Sequence, residues 1–178
     1  MVGKKVPAMT LDGFYKGKIQ EVKLSRYKGK WMILFFYPAD FTFICPTELK
    51  ELADYYSEFK SVGAEILSVS TDSVYVHRAW HKHHKSVNKV QYPMLSDRSG
   101  KLSRFMGVYD GNTGMAMRGT FVINPLGYVV AYEVHHDSIG RSADELLRKL
   151  NAAIAVSGGY GGVCPAAWKK GQKLIHPK

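Results

Sequence analysis

The run Trp31-Met32-Ile33-Leu34-Phe35-Phe36-Tyr37 constrains the fold more than any other segment. Seven consecutive apolar residues without alternation read as a strand buried on both faces. The run stops at Pro38-Ala39-Asp40, a turn signal. A helical pattern then begins close to Cys45, with Leu49, Leu52, Ala53, Tyr56 and Phe59 at spacings of three and four, and is expected to run to about Lys60. Pro46 suits the first turn of that helix, where a missing N–H costs nothing. Cys45 is therefore expected at a strand-to-helix junction, near the positive end of a helix. That position favours the thiolate, the nucleophilic form of cysteine.

The remaining pattern extends this opening into an α/β chain. Met1 to Ser25 reads as an antiparallel hairpin turning near Phe14-Tyr15-Lys16-Gly17. Ala64 to Thr71 is a second apolar strand, followed by Asp72-Ser73 as helix caps and a helix from Val74 to about Val87. Asp97-Arg98-Ser99-Gly100 opens a short helix through Phe105. Gly119 to Ile123 and Tyr128 to Val134 read as strands joined by the turn Asn124-Pro125-Leu126-Gly127. Ser142 to Val156 reads as a helix burying Leu146, Leu147, Leu150 and Ile154. A mixed central sheet flanked by helices follows from this order. Gly158-Gly159-Tyr160-Gly161-Gly162 reads as a flexible link. It divides a body of residues 1–157 from an arm of residues 158–178 that carries Cys164.

The chain has 178 residues, enough for one domain with a sizeable core. No apolar run approaches the roughly 20 residues needed to cross a bilayer. Met1 to Thr10 has no continuous apolar stretch of the signal-peptide kind. With two cysteines, too few for a secreted disulfide scaffold, the expectation is a cytoplasmic protein with a redox-active pair. The net charge of +10 raises nucleic-acid or membrane-surface binding. Lys4-Lys5, Lys28-Gly29-Lys30 and Lys169-Lys170 are scattered, however, and no nucleic-acid motif accompanies them, so a solvated basic surface is expected. His77, His81 and His84 share one helix face at metal-ligand spacing, yet no metal is expected there. Trp80 and Tyr75 read as packing residues, and Asp40 as a turn residue rather than an acid catalyst. Tyr37, Phe41 and Phe43 suit core or interface packing as well as contact with an alkyl group.

Pro38, Thr42 and Cys45 match the pattern P-x-x-x-T-x-x-C, and Val163-Cys164-Pro165-Ala166-Ala167-Trp168 matches V-C-P-A-x-W. The chain thereby resembles the peroxiredoxins, and within them the typical two-cysteine group. Phe41-Thr42-Phe43, Cys45-Pro46-Thr47-Glu48-Leu49, Ser70-Thr71-Asp72 and Ala79-Trp80-His81 make it similar to the bacterial alkyl hydroperoxide reductase type. Arg118 falls where the family keeps an arginine-bearing strand of the active site. The likeness runs from about Val6 to Gly171, and three motifs in the right order make it specific. It implies a thioredoxin-like fold and a thiol-dependent peroxidase needing no cofactor. It implies Cys45 as the attacking thiolate, Thr42, Arg118 and Pro38 around it, Glu48 holding an arginine, and Arg141 as a second arginine near the site. It implies Cys164 as the resolving cysteine, reaching Cys45 of a second subunit, in a homodimer that closes into a decameric ring.

Peroxide cleavage needs a thiolate, an orienting hydroxyl and positive charge where oxygen charge develops. An unperturbed thiol is about 3% ionised at neutral pH, so ionisation to about 90% gains about 30-fold, or about 2 kcal/mol. Positioning and charge stabilisation by Thr42 and Arg118 must supply the rest. The sulfenic acid left on Cys45 condenses with a thiol or oxidises further to sulfinic acid. Members prone to the second fate carry a Gly-Gly-Leu-Gly loop and a Tyr-Phe C-terminal helix. Asn88 to Pro93 contains no such loop and His176-Pro177-Lys178 no such helix, which implies resistance. Gly162 stands where an acidic residue usually precedes Val-Cys-Pro, so the arm is expected to be looser than usual.

Two other functions compete. A thiol–disulfide oxidoreductase on the same fold would show C-x-x-C, and Glu48 occupies its second cysteine position. A holdase role for a ring-shaped oligomer would not depend on the cysteines. No dinucleotide fingerprint is present, so electrons come from an external reductant, a flavin-containing disulfide reductase or a thioredoxin.

Overall fold

The computed structural model describes residues 1–159 and 161–177, so Tyr160 in the glycine link and Lys178 lie outside the described residues. Seven strands form one mixed sheet in the order β2-β1-β5-β4-β3-β6-β7. They are β1 (Thr10–Tyr15), β2 (Lys18–Lys23), β3 (Trp31–Phe36), β4 (Ala64–Ser70), β5 (Met94–Ser96), β6 (Arg118–Ile123) and β7 (Val129–His135). The helices are α1 (Cys45–Asp54), α2 (Tyr56–Ser61), α3 (Val74–His83), α4 (Lys101–Phe105) and α5 (Ala143–Ser157). This is the thioredoxin-like arrangement. β3, β4 and β5 run parallel, whereas β1–β2, β1–β5, β3–β6 and β6–β7 pair antiparallel.

Every residue of β3 is buried, and the pleat sorts them. Ile33 and Phe35 join a core with Leu49, Leu52, Phe59 and Trp80 on one face of the sheet. Met32, Leu34 and Phe36 join Leu67, Leu102 and Phe121 on the other. A continuous apolar strand is therefore the only pattern that serves both layers. The leading hairpin, β4 and the β6–β7 hairpin fall where the sequence places them.

Four expectations differ in detail. The helix from Cys45 does not run unbroken to Lys60: it bends at Tyr55 into α1 and α2, which lets Phe59 reach the core. The helix from Val74 ends at His83, where His84 turns extended and its Nδ1 accepts the Ser86 amide at 3.2 Å. β5 lies in a stretch to which the sequence pattern assigns no element, because three residues are too few to show alternation. On α5, Leu146 and Leu150 are buried, while Leu147 and Ile154 are only partly so.

The arm is attached to the body at identifiable points. Trp168 is 4% exposed, and its carbonyl accepts Arg148 Nη1 at 3.0 Å, which pins the segment to α5. Val163 and Ile175 exchange backbone hydrogen bonds of 2.8 and 3.0 Å. A Cβ on Gly162 would lie 2.8 Å from the Leu174 side chain. Glycine at this position thus permits the close approach of Leu174, while Trp168 is the one buried side chain among the described residues of an otherwise largely exposed arm.

Candidate active site

β3 delivers the chain to Pro38, and the loop from Pro38 to Ile44 leads into α1. Cys45 is the first residue of α1, with Ile44 at the cap and Pro46 in the first turn. The peptide N–H groups that a helix start leaves unpaired supply positive potential there. The thiol is fully buried, and Arg118 Nη1 lies 3.3 Å from Sγ.

A buried ion cluster holds that guanidinium. Glu48, one turn after Cys45 on α1, accepts four hydrogen bonds of 2.9–3.0 Å. One comes from Arg118 Nη1, the others from the Arg141 amide, Nε and Nη2. Arg118 Nε also donates to the Asp137 carbonyl at 2.8 Å. Arg141 Nη1 donates to the Gly119 carbonyl and to Thr120 Oγ1, both at 3.0 Å, and its guanidinium lies 3.5 Å over the Phe35 ring. Two guanidiniums and one carboxylate leave one positive charge uncompensated, and it faces Sγ. Burial opposes the Arg118 charge, but the contacts with Cys45 and Glu48 outweigh it and raise its pKa above the ordinary arginine value. Burial dominates at Arg141 and lowers its pKa, despite Glu48. Both remain guanidinium ions at any working pH.

The loop before Cys45 is fixed from beneath. Asp40, read from sequence as a turn residue, is buried and acts as a double acceptor. Tyr37 Oη donates to its Oδ1 at 2.7 Å, and His77 Nδ1 lies 2.7 Å from its Oδ2. His77 Nε2 faces the Leu95 carbonyl at 3.2 Å. The Asp40 amide donates to Asp72 Oδ2 at 2.8 Å, and Ser70 Oγ donates to the same oxygen at 2.9 Å. Burial raises the Asp40 pKa above the ordinary carboxylate value, although His77 opposes it. Burial, reinforced by Asp40, pushes the Tyr37 phenol well up. This clasp escaped the sequence reading. Its one signal is His77 among the three histidines on one face of α3. Asp40→Ala strands two buried donors and is expected to cost about 3 kcal/mol of stability. Urea unfolding measures it, and a loss under about 0.5 kcal/mol would mean the clasp is not holding the loop.

Thr42 lies in the irregular part of this loop, not in a helical turn, and its hydroxyl donates to the Ala39 carbonyl at 2.8 Å. Its oxygen is left with lone pairs to accept. Phe41 adopts φ +57°, an uncommon backbone state for a non-glycine residue that functional loops tend to hold. Its ring packs 5.9 Å from Trp80, while Phe43 is 94% exposed. Pro38 is buried next to Tyr37. Trp80 is a core residue, whereas Tyr75 is exposed rather than packed.

Cys164 is not brought to Cys45. It is half-buried against α5, its Sγ 3.6 Å from the Ala152 carbonyl, and both cysteines are free. His81 Nε2 faces the Val90 carbonyl at 3.1 Å, and His84 serves the Ser86 amide. Among the described residues no group of three or more His, Cys, Asp or Glu side chains is placed to hold a metal. No described helix is long and apolar enough to cross a membrane.

Known proteins resemble this chain in sequence and fold. Residues 2–132 match the model of the AhpC/TSA family. Alkyl hydroperoxide reductase C of Staphylococcus aureus is 42% identical over 99% of this chain and 95% of its own. The crystal structure of Enterococcus faecalis AhpC superposes with a TM-score of 0.89 at 42% identity, covering 92% of this chain and 98% of that one. The reduced 2-Cys peroxiredoxin of Plasmodium vivax gives 0.90 at 35% identity, covering 97% and 91%. A buried cysteine at a helix start, an arginine on its sulfur and a match over nearly the whole length make the chain a member of the AhpC/TSA family, the peroxiredoxins.

Proposed function

We propose that the protein is a thiol peroxidase that reduces hydrogen peroxide and alkyl hydroperoxides. The observation that carries the reading is Arg118 Nη1, 3.3 Å from a fully buried Sγ at the first residue of a helix. The Cys45 thiolate attacks one peroxide oxygen, the O–O bond breaks, and the other oxygen leaves with its electron pair to take a proton as water or alcohol. Arg118 stabilises that developing charge. Thr42 Oγ1, whose own proton is committed to Ala39, accepts a hydrogen bond from the hydroxyl of the attacked oxygen and orients it, and that proton stays on the oxygen in the sulfenic acid. Pro38 shields the sulfur from water, and Glu48 with Arg141 keeps Arg118 in place.

The product is a sulfenic acid on Cys45, which condenses with Cys164 of a second chain to a disulfide and water. Two sulfurs must approach to about 2 Å. Cys45 is enclosed and Cys164 lies on α5, so the first turn of α1 must open and the 158–178 arm must leave its Trp168 anchorage. An external dithiol, from a flavin-containing disulfide reductase or a thioredoxin, then reduces the disulfide. β7 is an edge strand with Tyr132 and Val134 exposed, a ready surface for pairing with the same strand of a second copy. Phe41 and Phe43 are exposed on the active-site loop and suit contacts that close dimers into a decamer. A cytoplasmic location fits the reduced pair. In a C-x-x-C oxidoreductase Glu48 would be cysteine, and here its carboxylate is committed to both arginines.

Two measurements test this. Cys45→Ser is expected to abolish dithiothreitol-dependent consumption of hydrogen peroxide and tert-butyl hydroperoxide, leaving any holdase activity intact. Consumption at more than a few per cent of the native rate would overturn the assignment of Cys45. Overoxidation is expected to be slight. The described residues after Cys164 turn back to a single backbone bridge between Val163 and Ile175, with no helix among them packed over α1, so capture by Cys164 should outrun a second peroxide. Intact-mass spectra after turnover at sub-millimolar peroxide should show little two-oxygen adduct, and Cys164→Ser should show a dominant one. A dominant adduct on the native chain would contradict this.

A further inference from the structure

At the end of the sheet away from Cys45 lies an apolar cleft of about 450 Å³, within the range of small-molecule sites. Its floor is Leu24, Met32, Phe105 and Ile123. β3 enters the sheet beside this floor and delivers the active-site loop at its other end, while β6 starts at Arg118 and ends here at Ile123. A six-residue strand spans about 17–20 Å, so the cleft is remote from the peroxide site. Leu126 stands at its mouth, 71% exposed.

The charge at the mouth is of one sign. Lys5, Lys28 and Lys30 line it, and no Asp or Glu does. Lys30 is partnered by Glu65 at 3.0 Å. Lys5 lies 5.4 Å over the Tyr128 ring, and neither it nor Lys28 has a carboxylate partner among the described residues. Lys4 Nζ stays nearby on the Phe105 carbonyl at 3.1 Å. Tyr27 lines the cleft too, and burial, with help from Glu65, pushes its phenol up to about 12, so it is present as a donor. An apolar floor under a rim with two cations, Lys5 and Lys28, that have no carboxylate partner among the described residues complements a molecule with an apolar chain and one anionic head.

We propose that this cleft is a binding site for an amphipathic carboxylate, an unbranched aliphatic acid whose chain lies on Leu24, Met32 and Ile123 and whose carboxylate meets Lys5 and Lys28. The chain supplies affinity in proportion to its buried methylenes, and the lysines select the sign of the head group. Because the cleft is distant from Cys45, the ligand is not held for reaction there, and its binding is separable from peroxidase activity.

Isothermal titration calorimetry of the intact protein tests this with sodium decanoate, sodium octanoate and decyltrimethylammonium, each below its micelle concentration. Decanoate is expected to saturate at one per chain. Octanoate, two methylenes shorter, should bind about 15-fold more weakly. The cation should bind at least about tenfold more weakly than decanoate. Lys5→Glu combined with Lys28→Glu should weaken decanoate at least about tenfold while peroxide turnover and thermal unfolding stay as in the native chain. Ala8→Trp, which fills the exposed rim, should block decanoate without adding charge. Equal binding of anion and cation, unchanged binding by the double variant, or no heat from decanoate up to about 1 mM would each overturn the proposal.

Discussion

Arg118→Ala is expected to slow oxidation of Cys45 by hydrogen peroxide at least about 100-fold, the scale of removing one preorganised donor from developing oxygen charge. The figure follows from what ionisation cannot supply. Full ionisation of an ordinary thiol gains only about 30-fold, and a more acidic sulfur is intrinsically a poorer nucleophile. The remainder must come from groups that meet the peroxide oxygens. Among the described residues Arg118 is the one cation bonded to Sγ, with Nη1 also on Glu48 and Nε on the Asp137 carbonyl. Lysine cannot reproduce that fork, so Arg118→Lys should recover little of the rate. Stopped-flow fluorescence at varied peroxide gives the second-order constant. A loss under about fivefold would make Arg118 a structural residue.

Glu48→Ala is expected to cost about 3–5 kcal/mol of folding stability and most of the peroxide rate. Its carboxylate accepts from both guanidiniums, whose side chains are 5% and 1% exposed. Removing it leaves two buried cations without their counter-ion, the costly half of a broken buried pair. Breaking the cluster also frees the 138–142 connection, since the Arg141 amide is bonded to the same carboxylate. Glu48→Gln keeps the shape but one acceptor oxygen only, and should fall between the native chain and the alanine variant. Denaturant unfolding reads the stability and stopped-flow the rate. A loss under 1 kcal/mol would mean the arginines find other partners.

The parts of the molecule that are legible in its sequence are those set by local pattern. β3 announces itself because a strand buried on two faces needs apolar residues at every position. The start of α1 is marked by Pro46, and the β6–β7 turn by Asn124-Pro125-Leu126-Gly127. What is not legible depends on contacts between distant residues. Arg118 and Arg141 meet Glu48 across 70 and 93 positions, and no periodicity records which arginines a buried glutamate will bind. Motif likeness singled out those residues and gave Glu48 one arginine to hold, while its bonding to both comes only from the fold. Asp40 looks like a turn residue because Pro-Ala-Asp is a turn. Its burial is caused by His77, 37 positions away, approaching from α3. The arm holds a contact of the same kind. Its glycines suggest freedom, but Gly162 is small so that Leu174 can close against it.

Peroxide is expected to drive Cys45 into a disulfide with Cys164 of another chain. The most direct test is non-reducing electrophoresis after one equivalent of hydrogen peroxide, with mass spectrometry of the linked peptides. The expected result is a covalent dimer of the 20.0 kDa chain, collapsed by dithiothreitol, whose digest joins the Cys45 and Cys164 peptides. A mixture of Cys45→Ser and Cys164→Ser chains should yield the same link once per dimer. An oxidised band that stays at the monomer position with no free thiol would contradict the pairing between chains.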